Sequence, residues 1–230
     1  MLAVLYDLHG NLPALDAVLA DAERAGATRY VLGGDYAAFG AWPAQTVRRL
    51  LELRDARWIA GNHERWLSGD VHDVPPGPLV RPALAAQRRS LDADAITRLT
   101  SLPATTQDGD TLFCHASPRS DMRSFAPAVE ADDRERLGDV AQATRVVFGH
   151  THLQFRRPGP GGVELVNPGS VGLPLDGDVR AAYATIDEEQ HLELRRVPYD
   201  HELSIAALEA QGEPWAAVIA GWLRAAKPVL

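Results

Sequence analysis

LAVLYDLHGN, residues 2–11, is the stretch whose reading decides the fold. Residues 2–6 form a short apolar run that reads as a buried strand. Asp7 and His9 follow at once, and then a helical pattern begins, with Leu12, Leu15, Val18, Leu19 and Ala22 spaced three or four apart. Asn11 suits the cap of that helix, Pro13 its first turn, and Gly26 its end. The same grammar repeats downstream. Residues 30–32 predict a strand followed by GGD, residues 43–53 a helix, and residues 57–60 a strand followed by GNHE. Strands alternating with helices predict a parallel sheet with helices packed on it. Polar residues just past the C-terminal ends of such strands line the ligand crevice. That places Asp7, Asp35 and Asn62 along one rim.

Further along, Pro75, Pro76, Pro78 and Pro82 exclude regular helix and central strand, so this stretch reads as a surface loop near the rim. Residues 84–91 and 93–102 predict two helices, the second capped by Asp92. From Gly109 the chain becomes strand-like: residues 111–114 precede HASPRS, 145–148 precede GHTH and 163–166 precede NPGS. A short helix is expected over 132–141 and a hairpin from 181–186 and 191–197. These elements predict two sheets, one from each half of the chain, packed face to face with helices outside. Residues 1–230 read as a single domain with a C-terminal helical tail at 203–226, broken by GEP. Trp215 and Trp222, seven apart there, mark a packing face or a contact with a second copy in a homo-oligomer.

The chain has 230 residues, 46% of them hydrophobic, which argues against disorder. Its 23 Lys and Arg against 31 Asp and Glu give a net charge of -8, which disfavours a nucleic-acid surface. A small phosphorylated substrate stays compatible, because bound divalent ions make a pocket locally positive. The lone Cys114 excludes an internal disulfide framework and reads as a core thiol pointing away from His115. No signal-like or membrane-spanning run is evident, so no membrane partner and a cytoplasmic location are expected.

The chemistry lies in residues that follow apolar runs: Asp7 and His9, Asp35, Asn62 and His63, His115, and His150 and His152. An isolated DxH or HxH is common by chance, and an Asp or Asn at a strand end often only closes a turn. Seven or more such positions in one chain are better explained by one metal site. On a strand, residues two apart share a side, so Asp7 and His9 are expected to reach one ion. Imidazole with carboxylate suits Mn, Fe, Zn, Co or Ni and fits Mg and Ca poorly. Two divalent transition-metal ions, with Mn the first expectation, would grip a phosphoryl group and supply an attacking hydroxide.

These residues resemble the calcineurin-like metallophosphoesterase family, in its branch of small bacterial and archaeal phosphodiesterases. The matching pieces are Asp7-Leu8-His9, Gly34-Asp35, Gly61-Asn62-His63-Glu64, His115 and Gly149-His150-Thr151-His152, with HASPRS and NPGSVGLP beside them. The resemblance implies an α/β fold, a four-layer α/β/β/α sandwich of two mixed sheets flanked by helices. It implies that Asp7, His9, Asp35 and His152 hold one ion and Asp35, Asn62, His115 and His150 the other, with Asp35 bridging. His63 would be a general acid or stabilise the leaving oxygen. Asn11 would touch a phosphate oxygen or cap its helix, and Arg119 is a candidate phosphate contact. Arg65 and Arg123 are lesser candidates, and Trp66 suits either base stacking or core packing. His72, His191 and His201 match no metal motif. One departure stands out: where protein phosphatases of the superfamily carry an Asp that supports the catalytic histidine, this chain has Ala38. The expected activity is hydrolysis of a small-molecule or nucleotide phosphodiester. Alternatives are a phosphomonoesterase, or a protein or nucleotide phosphatase including dinucleoside polyphosphate hydrolysis. A non-catalytic scaffold should have lost ligands, and this chain keeps them.

Overall fold

The computed structural model describes residues 1–140 and 142–229. Three parallel strands, β1 (Leu2–Leu5), β2 (Arg29–Leu32) and β3 (Ala56–Trp58), form the centre and one edge of a first sheet. Between them run α1 (Leu12–Arg24) and α2 (Pro43–Leu51). Next come α3 (Asn62–Ser68), α4 (Val80–Ser90), α5 (Ala93–Thr100), β4 (Thr105–Asp108), β5 (Thr111–Cys114), α6 (Asp133–Leu137) and β6 (Arg145–Val147). The chain ends with β7 (Gln154–Pro158), β8 (Glu164–Pro168), β9 (Ala181–Ile186), β10 (Leu192–Val197), α7 (His201–Glu209) and α8 (Pro214–Ala225). The sheets are five-stranded and mixed, with orders β10-β9-β1-β2-β3 and β4-β5-β6-β8-β7.

The alternation along β1 assigns the layers. Leu2, Val4 and Tyr6 meet Phe113, Val147 and Val166 of the second sheet, while Ala3 and Leu5 pack with Leu15, Val18, Val47 and Leu50 of α1 and α2. The outer face of the second sheet is covered by Phe125 and by Leu137 of α6, which pack on Val146, Phe148, Leu165 and the buried Cys114. The thiol is thus core, on the face opposite the one Phe113 presents. Against Ala83 of α4, α7 and α8 pack Ile205, Leu208, Trp215, Ile219 and Leu223. No helix of the described residues is long and apolar enough to cross a membrane.

Several sequence expectations need correction. The sheets are not one per half: the β9–β10 hairpin returns to pair antiparallel with β1. Six buried residues in AAYATI suit that interior position, covered on both faces. GNHE, after β3, opens a helix that sequence did not announce, α3, with Gly61 as N-cap and Glu64 closing the first turn. α4 begins at Val80 and tolerates Pro82, because a first-turn N–H has no intrahelical acceptor to lose. The helix expected over 132–141 is only Asp133–Leu137, and its expected end at Ala141 lies outside the described residues. β4 and β7 carry polar or charged sequences, TTQD and QFRRP, typical of protected sheet edges.

A candidate dinuclear metal centre

The parallel strands of both sheets end at one rim, where backbone hydrogen bonds lace the loops together. His9 and Gly10 N–H donate to the carbonyls of Asp35 and Tyr36, both at 2.9 Å. Gly149 N–H donates to His115 O at 2.7 Å, and Val171 N–H to Tyr6 O at 3.0 Å. Asp7 and His9 do not reach the site by strand alternation, since β1 ends at Leu5. Instead Asp7, His9, Asp35, His150 and His152 all have positive φ, from 47° to 69°. Each such residue costs about 1–2 kcal/mol relative to ordinary backbone, and this strain gathers where polar groups converge.

Two nests of donor atoms result. In the first, His9 Nδ1 faces Ala38 O at 3.1 Å and His152 Nδ1 faces Leu173 O at 2.6 Å. A carbonyl only accepts, so each neutral ring carries its proton on Nδ1, and both Nε2 lone pairs point inward. Those Nε2 atoms are 3.0 Å apart, which is therefore a meeting of two acceptors and not a hydrogen bond. Asp7 Oδ1, buried and with no hydrogen-bond partner, lies 3.5 Å from His152 Nε2 and 4.0 Å from His9 Nε2. In the second nest, His115 Nδ1 faces Gly33 O at 2.8 Å, and its Nε2 lies 3.0 Å from Asn62 Oδ1 and 3.5 Å from Asp35 Oδ1. His150 Nδ1 stands 3.0 Å from the same Asn62 oxygen. Donors about 2.1 Å from one ion sit roughly 3.0–3.4 Å from each other. The facing His9 and His152 lone pairs repel without a cation, and in both nests the donor spacing fits divalent ions. The second nest adjoins the first through Asp7 Oδ1, 3.9 Å from His115 Nε2.

The electrostatics agree. Burial first, and then the neighbouring His152, pulls His9 down to about 3. Burial and then His115 bring His150 to about 4. Both rings are thus held neutral, the form that ligates. Burial also opposes charge on His115, but the Asp35 and Asp7 carboxylates outweigh it and raise its pKa. In Asp35 burial dominates and raises the carboxyl well above its usual range, partly countered by His115.

His63 lies beside both nests. Its backbone N–H donates to Asp35 Oδ1 at 3.0 Å, and its ring packs with centroids 5.3 Å from that of His9. Asn11 Oδ1 caps α1 through Ala14 N–H and accepts from Ser204 Oγ, while Nδ2 donates to Gly172 O and Tyr199 Oη. A phosphate contact would have to break one of these bonds. Arg119 is exposed and lines, with His115, Ser117 and Thr105, a groove of about 330 Å³. Arg65 and Arg123 are engaged with carboxylates, Arg65 with Asp73 and Asp121, Arg123 with Asp132 and Glu135. His72, His191 and His201 pair with Asp70, Asp187 and Glu202.

One residue was quoted within its motif but given no role. Glu64, fully buried, accepts from the N–H groups of Asp35, Tyr36 and Gly61 at 2.8, 3.1 and 2.9 Å. The signal was available, since Glu three residues after an N-cap is a capping-box pattern. The carbonyls of Ala38 and Leu173 that fix the two rings of the first nest carry no such signal.

The comparisons with known proteins agree with this geometry. The family model of the calcineurin-like phosphoesterase superfamily domain matches residues 1–191. The chain is 28% identical over 220 residues to an uncharacterized protein of Methanocaldococcus jannaschii, covering 87% of this chain and 88% of that one. A crystal structure of a metallophosphoesterase from Sphaerobacter thermophilus superposes with a TM-score of 0.79 at 26% identity, covering 98% of each chain. A hypothetical protein from Pyrococcus horikoshii shares the fold with a TM-score of 0.83 at 17% identity, covering 97% of this chain and 98% of that one. The donor nests at the strand ends and the match over residues 1–191 lead to one conclusion: this chain belongs to the calcineurin-like phosphoesterase superfamily.

Proposed function

We propose that the protein hydrolyses a small-molecule or nucleotide phosphodiester, using two divalent ions held by the two nests. The observation that carries this reading is the meeting of His9 and His152 Nε2 at 3.0 Å, with His115, Asn62 and Asp35 gathered in the second nest and His63 beside both. Asp7, His9 and His152 would hold one ion, and Asn62, His115 and His150 the other, with Asp35 available to both. When bound, the ions lower the pKa of coordinated water and neutralise charge on the phosphoryl oxygens.

The chain's own residues do the rest. The carbonyls of Ala38, Leu173 and Gly33 keep the His9, His152 and His115 rings oriented. Burial, then His9 and His115, hold His63 well below its ordinary pKa, so its ring is neutral in the free site. Its contribution is a hydrogen bond donated to the leaving oxygen as charge develops there. Arg119, at the mouth of the adjoining groove, attracts the ester's negative charge. A small substrate suits a groove of about 330 Å³ and a chain of net charge -8 better than a nucleic acid does. Ala38 at the position of the phosphatase Asp favours diesters over phosphopeptides.

The test is a panel of unactivated diesters, monoesters, dinucleoside polyphosphates and phosphopeptides, with metal-stripped protein reloaded with Mn, Fe, Zn, Co or Ni in turn. The highest kcat/KM is expected on a diester. A tenfold preference for phosphopeptides, about 1.4 kcal/mol of transition-state discrimination, overturns the reading.

A further inference from the structure

The His63 ring is held in place without a hydrogen bond. Its Nδ1 is buried and unpartnered, and Asp35 Oδ2 lies 3.5 Å away, too far for a good bond. Ala38 offers no side chain to orient it, and its carbonyl faces His9 instead. Two aromatic rings bracket the imidazole. Phe39 meets it edge-on, with centroids 4.9 Å apart at 80°. Trp66, three residues along α3 and therefore on the same helical face, overlaps it at 5.2 Å and 33°.

The Trp66 indole is itself anchored. Its Nε1–H donates to Asp73 Oδ1 at 2.8 Å. Asp73 belongs to the segment that leads into the prolines. Arg65 donates to both Asp73 oxygens, at 3.0 and 2.8 Å, and to both Asp121 oxygens, at 2.6 and 3.1 Å. Asp121 lies in the turn after His115. A fork–fork guanidinium pair of this kind fixes direction as well as distance. The chain of contacts runs Asp121, Arg65, Asp73, Trp66, His63. A ring contact alone is soft to sliding, but an indole tethered at its N–H presents one fixed face.

We propose that Trp66 and Asp73 are positioning residues that orient His63 toward the leaving oxygen, in the place of the Asp that position 38 lacks. This rests on the role given to His63 above. It explains why the segment before the prolines folds back onto α3, and it gives Asp73 an effect on turnover without contact with substrate.

The experiment compares methyl p-nitrophenyl phosphate with methyl phenyl phosphate, which differ only in the leaving group. The proteins are the metal-loaded wild type, Trp66→Phe, Asp73→Ala, Asp73→Asn and His63→Ala. Stabilising the leaving oxygen matters most for the poorer leaving group. Asp73→Ala and Trp66→Phe are expected to lose about tenfold in kcat on the phenyl ester and about twofold or less on the p-nitrophenyl ester. KM and metal content should be unchanged, and Asp73→Asn, which keeps an acceptor oxygen, should recover part of the loss. In metal-free protein, the His63 imidazole NMR signals should shift on Asp73→Ala. Equal losses on both esters, or unmoved His63 signals, overturn the positioning role. If His63→Ala itself does not separate the two esters, it is the role of His63 that fails, and the inference falls with it.

Discussion

Glu64 accepts the backbone N–H of Asp35 at 2.8 Å while its own helix presents Asn62 and His63. One buried carboxylate thus joins the loop after β2 to the N-terminus of α3, and so fixes the second nest relative to Asp35. Burial raises its pKa, against the three N–H groups that favour the charged form. Removing those acceptors leaves three buried donors unpaired, each costing about 1–3 kcal/mol. Glu64→Ala is therefore expected to destabilise metal-free protein by at least ~3 kcal/mol. Urea unfolding measures this, and a change below about 1 kcal/mol would contradict the account.

Asp35→Asn should damage metal binding more than His63→Ala does. Asp35 Oδ1 lies 3.5 Å from His115 Nε2, inside the second nest, whereas the His63 ring stands at the margin, with its Nδ1 3.5 Å from Asp35 Oδ2. The His63 variant should keep both ions and lose about 10²–10³-fold in turnover, as expected for loss of one transition-state hydrogen bond. Metal content by mass spectrometry, read beside steady-state rates, tests the pair. Loss of both ions from His63→Ala would show that it ligates.

The rim was legible because its strands are buried and apolar while the residue after each is not. Leu5 to Asp7 and Phe148 to His150 change character within two positions, which is the signal of a strand end in a crevice. The edges of the second sheet were not legible. β4 and β7 face solvent on one side and carry Arg156, Arg157 and Gln107, so no apolar period marks them. The return of β9 to pair with β1 is a long-range choice that local pattern does not encode. The left-handed turns at His9 and His152 escaped for another reason: their cost is offset only by tertiary contacts, such as the Ala38 and Leu173 carbonyls. Asp73 was invisible as a partner of Trp66, because nothing in sequence says that a proline-bounded loop folds back onto the preceding helix.

Acid should cost the metal-free protein the contribution of its buried neutral imidazoles in a defined window. His9 and His150 fall from 6.5 to about 3 and about 4 on folding, and His63 also moves down, in each case with burial as the first cause. Between roughly pH 6.5 and 4 the unfolded chain takes up protons at these rings that the folded state refuses, so their contribution to stability drops as pH falls. His115 is shifted upward; its contribution is complete below pH 6.5 and fades only as pH rises, so it does not offset the loss. The Asp35 and Glu64 carboxyls, raised by burial, act in the opposite sense, so the ring contribution is read as a difference: from pH 7 to pH 5 the urea midpoint of metal-free wild type should fall further, or rise less, than that of His150→Gln. An equal change in the two proteins would mean that the His150 ring is not buried as a neutral group.

Two glycine substitutions separate collision from strain. Gly61 has an ordinary φ of -96°, so alanine suits its backbone, but a Cβ there would collide with Asp35 Oδ1 and come within 2.9 Å of His115 Cε1. Both neighbours belong to the second nest, and neither is the free end of a flexible chain. Gly26, past the end of α1, has φ of +86° and open space around its Cβ position. Gly26→Ala should therefore cost about 1 kcal/mol of stability through backbone strain alone and leave metal binding untouched. Gly61→Ala keeps every ligand yet should weaken binding of at least one ion, because it displaces Asp35 and His115 from donor distance. Titration of metal-free protein with Mn, followed by calorimetry, compares the two. Equal metal affinity in both variants would show that the second nest adjusts to the methyl group, and that its donor spacing is not fixed by the close approach of the Gly61 backbone.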